Sequence, residues 1–152
     1  LSPPLQENID CYEVKGREGQ ASPDRFLPQA QNGDVRAEYY VGHAYYRGSD
    51  YKKAAFWLKK SANQGNADAQ GTLSPLYLND KSGETDYKEA YFWSLLSLKW
   101  YKKSDFGKGL DMPSCEYDLL RVKAGNKLTL GQRLKIVMRA EIWEPKPEVN
   151  HN

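Results

Sequence analysis

An eight-residue stretch of this chain occurs twice. Asp50-Tyr51-Lys52-Lys53-Ala54-Ala55-Phe56-Trp57 returns as Asp86-Tyr87-Lys88-Glu89-Ala90-Tyr91-Phe92-Trp93, 36 positions later, with Asp, Tyr, Lys, Ala, Phe and Trp in register. A period between about 20 and 50 residues marks a unit that cannot bury its apolar face alone and must stack on its neighbours. The spacing inside the unit is helical: Ala37, Tyr40, Val41, Ala44 and Tyr45 share one face of an α-helix. The chain is therefore expected to be all-α, a short α/α solenoid of antiparallel helix pairs.

The segments follow from punctuation. Residues 1–22 hold Pro3-Pro4, Gly16 and Gly19 without a helical period and read as an irregular arm. Ser22-Pro23 opens a short helix to about Asn32, which Pro28 keeps brief or bent. The first complete pair runs from Asp34 to Arg47 and, capped by Asp50, on to Gly65. In the second pair Ala69, Leu73, Leu76 and Tyr77 match Ala37, Val41, Ala44 and Tyr45 at an offset of 32. A connecting loop four residues longer, Leu78 to Thr85, raises the offset to 36 at Trp93, as insertions in repeats do. Repeats thus fill 24–103. A Gly-rich crossover follows at 104–113, where Phe106 and Leu110 are expected to tuck against the solenoid, then capping helices at 114–144 and a tail at 145–152. The last helix starts at Thr129, with Leu130, Leu134, Val137, Met138 and Trp143 at helical spacing, and Pro145 and Pro147 forbid its continuation. At 152 residues this is one domain of six to seven helices.

Ala37-x-x-x-Val41-Gly42-x-x-Tyr45-x-x-Gly48, then Asp50-Tyr51-x-x-Ala54-x-x-Trp57-x-x-Lys60-x-Ala62-x-Gln64-Gly65, resembles a Sel1-like repeat, the short cousin of the tetratricopeptide repeat. The second copy keeps Ala69, Leu73, Tyr77, Ala90 and Trp93, and the tail from Leu128-Thr129 to Trp143-x-Pro145 resembles the closing helix of small bacterial Sel1-like proteins. Physical reasons agree: Gly42 and the alanines let helix backbones approach, Tyr45 and Trp57 fill the gap between them, and Gly48 and Gly65 end helices. One departure stands out. Where the first copy has Gly42, the second has Ser74 followed by Pro75, which should kink that helix or delay its start.

Chemistry is sparse. The chain has no GxSxG elbow, phosphate loop or HExxH, and its only histidines are His43 and His151. Nothing in the sequence brings His43 to Cys115 as a thiolate pair, and the Cys and His spacings offer no zinc site. The expectation is a non-enzyme without metal or cofactor. A net charge of +2, with residues 1–50 carrying five basic and eight acidic groups, argues against nucleic-acid binding. The longest apolar candidate, Tyr91–Leu98, is broken by Ser94 and Ser97 and falls short of a membrane span. Lys99, Lys102, Lys103 and Lys108 beside Trp100 and Tyr101 could touch anionic lipid, although a solvated helix end is the simpler account.

Cys11 and Cys115 are not a CxxC pair, and either remain two thiols or close a loop of roughly 100 residues, for which the chain-entropy model allows up to about 4.7 kcal/mol. A bridge, the favoured state, requires an oxidising compartment such as the periplasm. The chain opens on Leu1-Ser2-Pro3-Pro4 rather than Met, which fits removal of a targeting leader.

What remains is surface. Positions between the buried ones on the first helix of each pair are expected to face a protein partner: Glu38, His43, Tyr46 and Arg47 in the first copy, Thr72, Pro75 and Asn79 in the second. Tyr and Arg are the types that most often anchor interfaces, so Tyr46 and Arg47 should lead. The Sel1-like resemblance implies either a stoichiometric inhibitor or an envelope adaptor, and with the expected bridge and the removed leader the chain is expected to be periplasmic or envelope-associated and monomeric. The inhibitor would be of the immunity type that blocks a secreted toxic effector such as a type VI phospholipase.

Overall fold

A computed structural model describes residues 2–5, 22–79, 85–103 and 114–148, with 101–103 and 114–116 described as backbone alone. Those residues form seven α-helices and one 3-10 turn at Pro23–Arg25, with no strand among them. The helices are α1 (Leu27–Gln31), α2 (Val35–Arg47), α3 (Tyr51–Asn63), α4 (Ala67–Leu78), α5 (Tyr87–Lys103), α6 (Ser114–Gly125) and α7 (Leu130–Ile142). α2 pairs with α3 and α4 with α5, α4 also packs on α3, and α6 adds to α5 and α4 as the next element of the same α/α solenoid.

Caps recur with the repeat. Asp34 accepts from the Ala37 amide at 2.8 Å and Asn66, its counterpart, from Ala69 at 2.9 Å; Asp50 accepts from Lys53 at 3.2 Å and Asp86 from Glu89 at 3.1 Å. Each such cap satisfies an amide that the helix itself leaves open, a contribution of about 1 kcal/mol. The pairs are also stitched alike. Ser61 donates to the Val35 carbonyl at 2.6 Å, and Ser97 to Ala67 at 2.8 Å, so the second helix of each pair grips the first turn of its partner through a hydroxyl.

Two clusters form the core. Ala30, Ala37 and Val41, with Phe26, Leu27, Tyr45 and Trp57 against them, seal the amino-terminal end. A larger cluster runs from Ala54, Leu58 and Ala62 through Leu73 and Leu96 to Ile136 and Ala140. At Gly42 α2 packs directly on the backbone of α3: a Cβ there would lie 2.9 Å from the Leu58 backbone nitrogen, so only glycine allows that approach.

Several expectations are corrected. The helix-ending positive φ after α2 belongs to Ser49 (64°) rather than to Gly48, whereas Gly65 (95°) behaves as expected. Pro75 neither delays nor ends its helix: α4 begins at Ala67 and passes through it. The cost of an interior proline, about 3 kcal/mol, is offset in part by burial of Leu76 beside it and by a 2.9 Å bond from the Ser74 hydroxyl to the Ala90 carbonyl of α5. Residues 2–5 are docked: the Leu5 amide donates to Asn126 Oδ1, the Leu130 amide to Ser2 Oγ, and the buried Arg133 guanidinium to the Pro3 carbonyl. Residues 143–148 are docked as well. Trp143 meets Trp100 edge-on, Pro145 lies over Gly65, and the Lys146 amide donates to the Asn63 carbonyl at 2.8 Å.

The stripe of the last helix is split, with Val137 and Trp143 packed against the core. Leu130, Leu134 and Met138 face outward, while Arg133, Ile136 and Ala140 are buried. That side is covered because α7 lies against α5, where Lys99 Nζ donates to the Ala140 and Glu141 carbonyls at 3.0 and 2.9 Å. Lys99 thus caps a helix end instead of forming a lipid-facing cluster. Cys11, Phe106, Lys108, Leu110 and His151 lie outside the described residues, and so do the side chains of Lys102, Lys103 and Cys115, the last in the first turn of α6. The Cys11–Cys115 pairing therefore falls outside them too.

Candidate protein-interaction site

Helix α2 has a buried side, built on Ala37, Glu38, Val41 and Gly42, because those positions recur at three and four residues and meet α1 and α3. The opposite side carries Arg36, Tyr40, His43 and Arg47, again spaced by four, three and four, so they stand in one row along the helix. Arg36, Tyr40 and Arg47 are exposed and His43 is half-buried. Rings tile the row. Phe26 and Tyr40 have centroids 5.0 Å apart, Tyr39 and Tyr40 5.5 Å, and Tyr39 and His43 5.6 Å; Tyr46 meets Tyr51 edge-on at 5.8 Å. Arg25 stacks over Phe26 at 5.4 Å, while neither Arg36 nor Arg47 forms an ion pair among the described residues.

Of the seven residues expected on a binding face, His43, Tyr46, Arg47 and Asn79 reach the surface wholly or in part, and Pro75 is half-buried on α4. Glu38 and Thr72 are not surface residues. Glu38 has no exposure at all, and Thr72 is buried with its hydroxyl turned back to the Asp68 carbonyl at 2.8 Å. The structure does not join the two sets into one row, since α6 covers the α4 face: Tyr117 sits where a Gly71 Cβ would be and directs its hydroxyl to Asp68 at 3.4 Å. Sequence reading missed Phe26, Arg36 and Tyr39, and it set Tyr40 on the apolar face with Ala37 and Val41, whereas Tyr40 is exposed on the opposite side. The signal was present in the spacing 36, 40, 43, 47, which shares its row with Arg47.

Under this face lies a buried polar cluster. Gln64 Nε2 donates to Glu38 Oε2 at 2.8 Å, Lys60 Nζ stands 3.5 Å from Glu38 Oε1, and the same ammonium pairs with Glu148 at 2.8 Å. Burial first, then the Glu148 carboxylate beside it, push the Glu38 carboxyl up to about 7, against the opposing pull of Lys60. One lysine thus serves two carboxylates from chain segments 110 residues apart. No three His, Cys, Asp or Glu side chains among the described residues come together to hold a metal ion, and no described helix is long and apolar enough to cross a membrane.

With this geometry in hand, comparison with known proteins supports the Sel1-like resemblance. A 66-residue stretch, 43% of the chain, is 32% identical to the Sel1-repeat-containing protein YjcO of Escherichia coli K12. The uncharacterized protein YjcO of Escherichia coli O157:H7 and that of Shigella flexneri match to the same degree. The chain spans 28% of the length of these curated relatives. No family model matches the chain, and no solved structure does.

Proposed function

We propose that the protein is a non-enzymatic protein-binding module whose partner seats on the α2 row. The observation that carries this reading is the alignment of Arg36, Tyr40, His43 and Arg47 on one solvent-facing line, tiled by Tyr39 and Phe26. Tyrosine and arginine supply large contact area with directed hydrogen bonding at modest entropic cost, which is why they dominate interface hot spots. Rings that already touch one another are partly ordered before a partner arrives, so less freedom is lost on binding.

Within that reading the protein acts as a stoichiometric inhibitor in the periplasm, of the immunity type that blocks a secreted toxic effector. The Cys11–Cys115 bridge belongs to the same reading. An envelope adaptor is the alternative that the Sel1-like resemblance leaves open. Affinity capture from the native cell, with mass spectrometry of what is retained, identifies the partner. Reconstitution at equal concentrations then separates the two: an inhibitor abolishes the partner's activity, an adaptor leaves it intact. Tyr40→Ala, Tyr46→Ala and Arg47→Ala should each weaken capture by at least tenfold, about 1.4 kcal/mol. Unchanged affinity in all three would remove the α2 row as the site. Thiol counting on denatured protein isolated from the cell should find no free thiol; two free thiols would refute the bridge and with it the oxidising compartment.

A further inference from the structure

The polar cluster under α2 is also where residues 143–148 fasten to the stack. Three contacts hold that segment at the carboxyl end of α3: Pro145 lies over Gly65, the Lys146 amide donates to the Asn63 carbonyl at 2.8 Å, and the Glu148 carboxylate pairs with Lys60 at 2.8 Å. Only the last depends on charge, and its lysine is shared. The same ammonium stands 3.5 Å from Glu38 Oε1, long for a charge-assisted hydrogen bond, and that buried oxygen accepts none. The other oxygen already accepts from Gln64 at 2.8 Å. Ionised, Glu38 therefore leaves one oxygen of a fully buried carboxylate bare. Protonated, it turns that oxygen into a donor to the Glu148 carboxylate beside it.

We propose that residues 143–148 are a latch governed by the protonation of Glu38, closed while Glu38 carries a proton and opening as it ionises. Position sets the direction. The Glu38 side chain has no exposure, whereas that of Glu148 is 34% exposed. With both charged, one ammonium faces two carboxylates, and Glu148 gives way because it alone can exchange Lys60 for water. No other charge intervenes. α1 carries no ionisable residue, and on the tail Glu144 and Lys146 are exposed. On α3, Lys52 and Lys53 lie at the opposite end of the helix, where Asp50 holds Lys53, and Lys59 stands over Tyr77. On α4, Asp68 meets the Tyr117 hydroxyl. Arg36, His43 and Arg47 stand on the other side of α2, and Asp34 caps its first turn. Lys60 and Glu148 are thus the charged groups that act on Glu38. Burial, then Glu148, push its carboxyl up to about 7, and opening the latch weakens both causes by admitting water and removing Glu148. The closed form therefore holds the proton more tightly than the open one. Closure is favoured at low pH, and that advantage is lost as the pH rises through about 7.

Amide exchange of Lys146 tests the latch, expressed at each pH as protection relative to the free-chain rate. In the wild type, protection should fall at least about fivefold between roughly pH 5.5 and 8.5, with its midpoint near 7. That of the Leu5 amide, docked on Asn126, should hold steady. Glu38→Gln, which stays neutral, should keep Lys146 protected across the whole range. Glu148→Gln removes the competing charge from the exposed tail and should flatten the profile likewise, should Glu38→Gln fail to fold. The reciprocal effect is read on the Glu38 carboxyl carbon by nuclear magnetic resonance: its titration should move to lower pH in Glu148→Gln. Protection of Lys146 that does not change with pH in the wild type would overturn the proposal. So would a fall that persists in both variants, or a Glu38 titration unmoved by Glu148→Gln.

Discussion

The two repeats share a template and differ in what covers them. Phe56-Trp57 and Phe92-Trp93 make the same edge-on pair, with centroids 5.2 and 5.1 Å apart, yet Phe56 is 59% exposed and Phe92 1%. The difference comes from the next turn of the solenoid. α7 lies on α5 and sets the Arg139 guanidinium 3.6 Å over the Phe92 ring, whereas the Lys60 ammonium stands 5.8 Å from the Phe56 ring. On the other side α6 closes the α4 face through Tyr117, and the α2 row stays open to solvent. A repeat in the middle of the stack is committed to its neighbours; a repeat near the end keeps a surface with which to bind something else.

The same comparison holds inside the pairs. Gly42 and Leu58 of the first pair correspond to Ser74 and Ser94 in the second, so a glycine and a large apolar residue are replaced by two small polar ones. Their hydroxyls are satisfied by the Ala90 and Tyr91 carbonyls at 2.9 and 2.8 Å. Glu38 and Gln70, also equivalent, are both fully buried, but only the first can ionise.

Mutations can break this comparison, and the largest effect should come from the ring pair. Phe92→Ala should cost about 3–5 kcal/mol in denaturant unfolding, and Phe56→Ala no more than about 0.5 kcal/mol; equal losses would mean that α7 does not cover the second repeat as described. Gly71→Ala follows, at about 3 kcal/mol, because the new Cβ would lie 1.9 Å from the Tyr117 ring. Its loss should appear as faster amide exchange in α6 and leave α2 unchanged.

Glu38→Gln makes the first pair resemble the second. The Glu38 carboxyl titrates near 7 in the folded chain and at 4.5 without that environment, so between those values the folded form holds a proton that the unfolded form has released. Its contribution is full below about pH 4.5 and is lost as the pH rises through about 7. The melting temperature of Glu38→Gln relative to wild type should therefore climb across that window, and a flat difference would show that Glu38 does not titrate there. The smallest effect sharpens the shared template: Ser61→Ala and Ser97→Ala should each cost about 1 kcal/mol, and a marked inequality would mean that the two stitches are not equivalent.

How far the sequence was legible follows from which rules are local. Asp34, Asp50, Asp86 and Thr129 announced their helices because a cap acts within three residues, and Gly42 announced close approach because only a missing Cβ permits it. Local rules could not orient α7. Leu130, Leu134 and Met138 form one stripe and Ile136 and Ala140 another, and only α5 decides which is covered. Glu38 was misread for a related reason. Its burial depends on Lys60, Gln64 and Glu148, and no pattern within α2 announces a tail that returns to it. Pro75 was read by its own cost, without the Ser74 bond that offsets part of it. For the candidate site, Tyr46 and Arg47 were legible as interface types, while the row through Arg36 and Tyr40 emerges once the buried side of α2 is known.

The docked segments change how such a molecule comes apart. An open array of repeats can fray unit by unit, since each touches only its neighbours. Here Ser2, Pro3 and Leu5 hold Leu130, Arg133 and Asn126 across 121 to 130 residues of sequence, and Lys146 holds Asn63. Residues 2–5 and Lys146 cannot leave without releasing a distant part of the stack. Contacts of such separation form late and slow the search for the native state. Once made, they tie the release of residues 2–5 and of Lys146 to the helices that hold them.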